Sequence, residues 1–282
     1  MEMVQTRLVV ALSVLLLAAC TPRYSFKPIS VDGRITGAKT VNPEDLPGTV
    51  GAFENGVYVS PSGKTFDSGS ILGVAEAMLD VQDELAGVKR IIGVSARELG
   101  RYMPECELGN MAADCIKNTT EKATGRKVDL AITNLGGIRL DMPEGNVLLE
   151  DILSMFPFDN RLVYVSISGE DLLKVFERMA RRKFEPMSGV KIVATDEQLD
   201  SVLIGGEPLD PARNYGLATI DFLLDGGDGL SLARSSDMVF TDVKIIDAIL
   251  PFVEGFAARG EKIDYHLDGR VIVNRTENAD EE

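Results

Sequence analysis

From Ile91 onward the chain switches repeatedly between two periodicities, and the order of the switches restricts the fold. "RLVYVSIS", 161–168, is an apolar run of strand length. "SGEDLLKVFERMARR" follows at helical spacing, with Ser168 as N-cap and Asp171 three residues on, a capping-box arrangement. "IIGVSA", "VDLAITN", "VKIVA", "SVLI", "GLATIDFLL" and "GRVIV" read as further strands. "ELGNMAADCIKNTTEKAT" reads as a helix with Leu108, Met111, Ala112, Cys115 and Ile116 on one face. "VLLEDILSMF" reads as a short helix, and "VKIIDAILPFVEGFAARG" as a late one, irregular at Pro251 and ended by Gly260. Strands and helices mix without a strict βαβ rhythm. That predicts an α+β fold, mixed β-sheets packed with helices, rather than a doubly wound parallel sheet.

The N-terminal part has a different grain. "MEMVQTRLVVALSVLLLAAC" has a short polar start and an apolar core of about ten residues, which suits a signal peptide and is too short to span a bilayer. Small residues before Cys20 resemble the bacterial lipobox, in which the cysteine is acylated and becomes the first mature residue; a plain secretory signal is the other reading. Thr21, where an aspartate would signal inner-membrane retention, points such a lipoprotein to the outer membrane. The organisation expected is a leader at 1–19, a tether and extension at 20–90, a folded domain at 91–275 and an acidic tail at 276–282. Within the extension, "GVYVS" suits a hairpin strand, and "SILGVAEAMLDVQDELAG" suits a helix.

Net charge is −15. A chain this acidic lacks the general electrostatic footprint of a nucleic-acid binder, and a small anionic ligand would need a local arginine cluster. Histidine occurs once, at His266. A di-metal hydrolase draws several ligands from histidine, and a Ser-His-Asp triad would have to use this one. No G-x-S-x-G or H-E-x-x-H motif is present, and His266 reads as a packing or surface residue. Cys106 and Cys115, nine positions apart, are expected to stay unpaired, with Cys115 facing the core.

Three turns stand out. In "TNLGGIR", adjacent glycines follow a strand, Asn134 can donate and accept, and Arg139 offers a planar fork suited to phosphate oxygens. In "DFLLDGGDGL", Asp228 sits among three glycines, with Phe222 six residues before it. "FPFDN" places Phe158 at a helix end, with Asn160 two residues on. A carboxylate can accept from ribose hydroxyls, and an aromatic ring can stack a base. Taken singly, each turn is equally readable as structural, the first as a tight turn, the second as a calcium-like loop, the third as a core aromatic.

Taken in order, the three turns resemble the C-terminal domain of the 5′-nucleotidases. "PECELGNMAADC" matches the family's E-x-x-L-G-N-x-x-A-D helix, "NLGGIR" stands where the family has N-G-G-x-I-R, and "SISGEDL" and "MSGVKI" fall in sequence, so the likeness runs from about Ile91 to about Val273. The resemblance implies that Phe158 and Phe222 clamp a base and that Asn134 and Asn160 bond the nucleoside. It further implies that Arg139 reaches phosphate oxygens or the ribose side, that Asp228 bonds ribose hydroxyls and that Gly189 lets the base approach the backbone. It departs from the family at a second arginine expected before the E-x-x-L-G-N helix, where Arg101 and Tyr102 stand, and at Leu135, which replaces a glycine. In the family a separate metallophosphatase domain holds two divalent metals and hydrolyses the nucleotide. With no histidine before Ile91, no catalytic residue, metal or cofactor is expected in this chain. The expectation is a lipid-anchored nucleotide-binding subunit, inactive alone, whose hydrolase partner is a separate metallophosphatase. The alternatives are a non-catalytic nucleotide- or nucleoside-binding lipoprotein, or a degenerate structural envelope protein.

Overall fold

The computed structural model describes residues 37, 45–70, 72–74, 77, 86–230, 232 and 237–276. The leader, Cys20, the acidic residues after Thr276 and most of the helix expected between Ile71 and Leu85 lie outside these. No helix among the described residues is long and apolar enough to cross a membrane. The chain divides into two units, Met1–Gln82 and Asp83–Glu282.

The first unit contains a short helix α1 (Leu46–Val50), capped by Asp45, and three strands, β1 (Ala52–Glu54), β2 (Val57–Val59) and β3 (Thr65–Phe66), in one antiparallel sheet. "GVYVS" is indeed a hairpin strand: Asn55 and Gly56 turn the chain with positive φ so that Phe53 faces Tyr58.

The second unit contains the remaining strands: β4 (Ile91–Ser95), β5 (Leu130–Ile132), β6 (Gly145–Leu148), β7 (Arg161–Ser168), β8 (Met187–Ser188), β9 (Val190–Thr195), β10 (Gln198–Ile204), β11 (Glu207–Pro208), β12 (Asn214–Ile220), β13 (Met238–Lys244) and β14 (Val271–Asn274). Its helices are α2 (Glu107–Thr124), α3 (Leu149–Met155), α4 (Gly169–Ala180), α5 (Asp221–Leu224) and α6 (Ile245–Ala258). The main sheet has the order β13-β7-β12-β5-β8, a second has β11-β10-β9-β14, and β4 pairs with β6. The β12–β5 and β9–β14 pairs are parallel and their neighbours antiparallel, which makes both larger sheets mixed. This is the α+β architecture that the irregular alternation predicts.

Helix α2 is the central packing element. It buries Leu108, Met111, Ala112, Cys115 and Ile116, the face read from the sequence, against the main sheet and α6, and ends on Gly125 in the left-handed region. Cys115 is fully buried, and burial pushes its thiol up to about 12. Cys106, the N-cap of α2, is also buried, and both thiols are free. Ser168 caps α4 by accepting from Asp171 N–H, and its hydroxyl donates to the Asp171 carboxylate. Two boundaries differ from expectation. "GLATIDFLL" is not one strand: β12 ends at Ile220, and Asp221 accepts from Phe222 N–H to start the turn of α5. "VLLEDILSMF" begins as β6, and helix follows only from Leu149, where Asp151 accepts from Leu148 N–H.

Candidate functional site

The strand directions bring three loops to one end of the main sheet. β5 and β12 run parallel, so the loops after Ile132 and after Ile220 leave the same end. β7 runs antiparallel to β12 with Leu162 opposite Ile220, so the loop entering β7 arrives there as well. These loops carry Asn134 and Arg139, Phe222 and Asp228, and Phe158 and Asn160. Arg161 N–H donates to Asp221 Oδ1 at 3.2 Å, tying the Phe158 loop to the Phe222 loop. Asn160 is half-buried, and its carbonyl accepts from Ile245 N–H at 2.9 Å.

The opening turn is a single 3₁₀ turn, Leu135–Gly137, set by Asn134 in an extended conformation. Asn134 is 4% exposed and donates from Nδ2 to Asp228 Oδ2 at 2.6 Å, joining its own loop to the Asp228 loop. Its Oδ1 is buried without a hydrogen-bond partner among the described residues. The two glycines do not use positive φ, contrary to what adjacent glycines suggest. A side chain at Gly137 would lie 2.7 Å from Asn134 Oδ1, and one at Gly136 would lie 3.4 Å from Asp228 Oδ2. Gly137 makes room for the Asn134 side chain, whereas a side chain at Gly136 would be in ordinary contact with Asp228. The strained backbone is in the Asp228 loop, where Gly226 and Gly229 flank Asp228 and all three have positive φ.

Phe158 and Phe222 are 43% and 42% exposed in a chain with 6% aromatics. The Arg139 guanidinium lies 5.7 Å from the Phe158 ring centroid, and its Nη1 donates to Gly136 O. The Phe222 ring occupies the space where a side chain on Gly227 would be. Two half-exposed rings on linked loops, a buried amide with a spare acceptor, a carboxylate and a guanidinium make a surface suited to a planar heterocycle bearing hydroxyls and an anion.

Gly189 is not part of this constellation. β8 pairs antiparallel with β5, Met187 opposite Ile132 and Ser188 opposite Ala131, so Gly189 leads away toward the other end of the sheet. Its φ is +75, and a side chain there would collide with the Asp129 carbonyl. The glycine permits close strand packing. Arg101 is committed to the scaffold: Nη1 donates to Ile138 O at 2.7 Å and Nε to Asp141 at 3.0 Å. Tyr102 donates to Glu107, and burial, reinforced by that carboxylate, pushes its hydroxyl up to about 12.

Glu185 escaped the sequence reading. It is 1% exposed, accepts from Leu135 N–H at 2.8 Å through Oε2 and is ion-paired to Lys183 through Oε1. It therefore fixes the start of the opening turn. An isolated acid in "KFEPMSG" gives no pattern from which to infer that. His266 is exposed and lies 3.2 Å from Asp264, and no group of three His, Cys, Asp or Glu side chains among the described residues could hold a metal ion. The donor set here does not fit the divalent metals of a phosphohydrolase.

A mixed α+β scaffold thus presents two half-exposed rings, an amide and a carboxylate from three loops at one sheet end. The model of the 5′-nucleotidase C-terminal domain matches residues 88–234, and the chain belongs to that family. It is 34% identical to protein UshA of Escherichia coli over 106 residues, covering 36% of this chain and 19% of UshA. It is 30% identical to the cell wall protein Lmo0130 of Listeria monocytogenes over 195 residues, 63% of this chain and 25% of that protein. The fold matches the 5′-nucleotidase precursor of Thermus thermophilus with a TM-score of 0.64 at 22% identity, covering 76% of this chain and 45% of the other. The chain thus spans less than half the length of each of these relatives.

Proposed function

We propose that this chain is the nucleotide-recognition component of a 5′-nucleotidase-type hydrolase of the cell envelope, lipid-anchored through Cys20 at the outer membrane and acting with a metallophosphatase on a separate polypeptide. Phe158 and Phe222 stack the two faces of the base, and stacking of this kind tolerates any base. Asn134 and Asn160 bond the nucleoside, and the spare acceptor Asn134 Oδ1 provides a fixed partner for a donor on it. Asp228 accepts from ribose hydroxyls, and Arg139 turns its fork toward phosphate oxygens. Activation of water by metal lies with the partner, a reading supported by the lack, among the described residues, of any group of three His, Cys, Asp or Glu side chains that could hold a metal ion.

One observation carries the reading: two half-exposed phenylalanines, on loops tied by the Arg161–Asp221 hydrogen bond, stand at the sheet end that also holds the Asn134–Asp228 pair. An envelope location is supported by the apolar leader core before Cys20 and by the relative named as a cell wall protein. The test is to mix the full chain with a candidate metallophosphatase and follow phosphate release from AMP. A partner-dependent rise that Phe158→Ala/Phe222→Ala abolishes supports the proposal. Absence of both complex and rise contradicts the two-chain arrangement, and nucleotide binding without a rise favours a non-catalytic binding lipoprotein.

A further inference from the structure

Two guanidinium groups come close together beside the Asp228 loop. Arg178 stands in the last turn of α4, and Arg182 lies two residues past its end. A side chain at Gly229 would collide with Arg182 Nη1 and lie 3.6 Å from Arg178 Nη2, so both cationic ends reach the backbone next to Asp228. Among the described residues neither guanidinium has an ion-pair partner, whereas the intervening Arg181 pairs with Glu177 and the following Lys183 with Glu185. Arg178, Arg182, Lys183, Glu185, Asp228 and Gly229 line a small crevice of about 10 Å³ beside the glycine loop.

A helix C-terminus attracts cations in general. That does not explain why two exposed arginines turn toward one another over a glycine instead of extending apart into water, as like charges at i,i+4 favour. Two planar forks converging on one backbone point suit the oxygens of a phosphate. Their place on the loop indicates which phosphate. Asn134 occupies Asp228 Oδ2, leaving Oδ1 for a ribose hydroxyl. A phosphate on the neighbouring ribose oxygen would then stand against Gly229, whereas a 5′-phosphate would be met by Arg139, which is packed at the Phe158 ring.

We propose that Arg178 and Arg182 form an anion subsite for a phosphate carried on the 2′ or 3′ oxygen of the ribose, so that the chain prefers nucleotides phosphorylated there over plain 5′-nucleotides. The proposal rests on the reading of Asp228 as the ribose contact. Calorimetric titration of the full chain with AMP, ADP, adenosine 2′,5′-bisphosphate and adenosine 3′,5′-bisphosphate tests it. ADP adds its extra charge on the 5′ side and controls for general attraction. The expected result is that one bisphosphate binds about tenfold tighter than ADP. Arg178→Ala/Arg182→Ala removes that advantage while AMP affinity stays within about twofold. Arg178→Gln/Arg182→Gln, which keeps the packing stems, does the same. Bisphosphates binding no tighter than ADP, or an advantage that survives in both variants, overturns the subsite and leaves the nucleoside reading intact if AMP still binds. Failure of all four ligands to bind overturns the nucleoside reading and the subsite with it.

Discussion

At Gly137 one methyl group decides whether Asn134 keeps its place. Alanine there would press against Asn134 Oδ1 from 2.7 Å and loosen the bond to Asp228. Gly137→Ala should therefore lower stability by about 1.5–3 kcal/mol, the scale of a hydrogen bond to a charged group, and weaken nucleotide binding with it, as thermal unfolding and calorimetry would show. Gly189→Ala should act on stability alone. It forces a positive φ and a clash with the Asp129 carbonyl, which should lower unfolding free energy by about 2 kcal/mol or more and leave affinity unchanged. The loop residues stand out in sequence because rings, amides and carboxylates announce their chemistry, and the structure adds that their loops share one sheet end. The role of Gly189 was not legible, since a glycine that admits a ligand and one that admits a neighbouring strand look alike until the strand register is known. Arg178 and Arg182 were hidden for a related reason: basic residues at a helix end are ordinary there.

At the scale of elements, β14 is fastened by Arg270. Its side chain is 11% exposed and donates to Asp114, to Met187 O and to Asp268, tying together α2, β8 and the turn before β14. Arg270→Leu removes these bonds and leaves Asp114 without its partner. It should cost about 2–3 kcal/mol in denaturant unfolding. Acid should act on the same kind of contact. Burial pushes the Asp129 carboxyl up, but Lys127, Gly216 N–H and Arg213 outweigh it and hold the group below the usual carboxylate range. Asp268 is held down chiefly by the Arg270 hydrogen bond, against its partial burial. A carboxyl lowered in the folded state stabilises fully above its unfolded value, about 3.9, and loses that contribution as pH falls through the folded value. Unfolding midpoints should therefore drop as pH is lowered below about 4, and Asp129→Asn should flatten that slope. Helix α2 was legible from its 3.6 periodicity, as was α4 from its cap. The end of β12 was not, because apolar "IDFLL" suits strand and helix alike, and the local choice rests on the Asp221 carboxylate caught by Phe222 N–H.

At the scale of the molecule, the proposed recognition surface is set on a mixed-sheet scaffold, in a chain whose net charge of −15 would repel an anionic ligand elsewhere. Arginine near the loops thus counts for more than its number suggests. The fold class followed from the irregular alternation of strand and helix. The convergence of three loops could not, because it depends on β5 lying parallel beside β12, a pairing between segments far apart in the chain. The central claim is that Phe158 and Phe222 form the two walls of a nucleotide pocket. It is tested most directly by titrating AMP into the full chain and into Phe158→Ala/Phe222→Ala. Both rings are half-exposed, so the variant should unfold at nearly the same temperature. Saturable binding to the wild-type chain, weakened by about 100-fold or more in the variant, is the predicted result, at about 1–3 kcal/mol per stacked ring. A flat wild-type titration, or the same isotherm for both proteins, would contradict it.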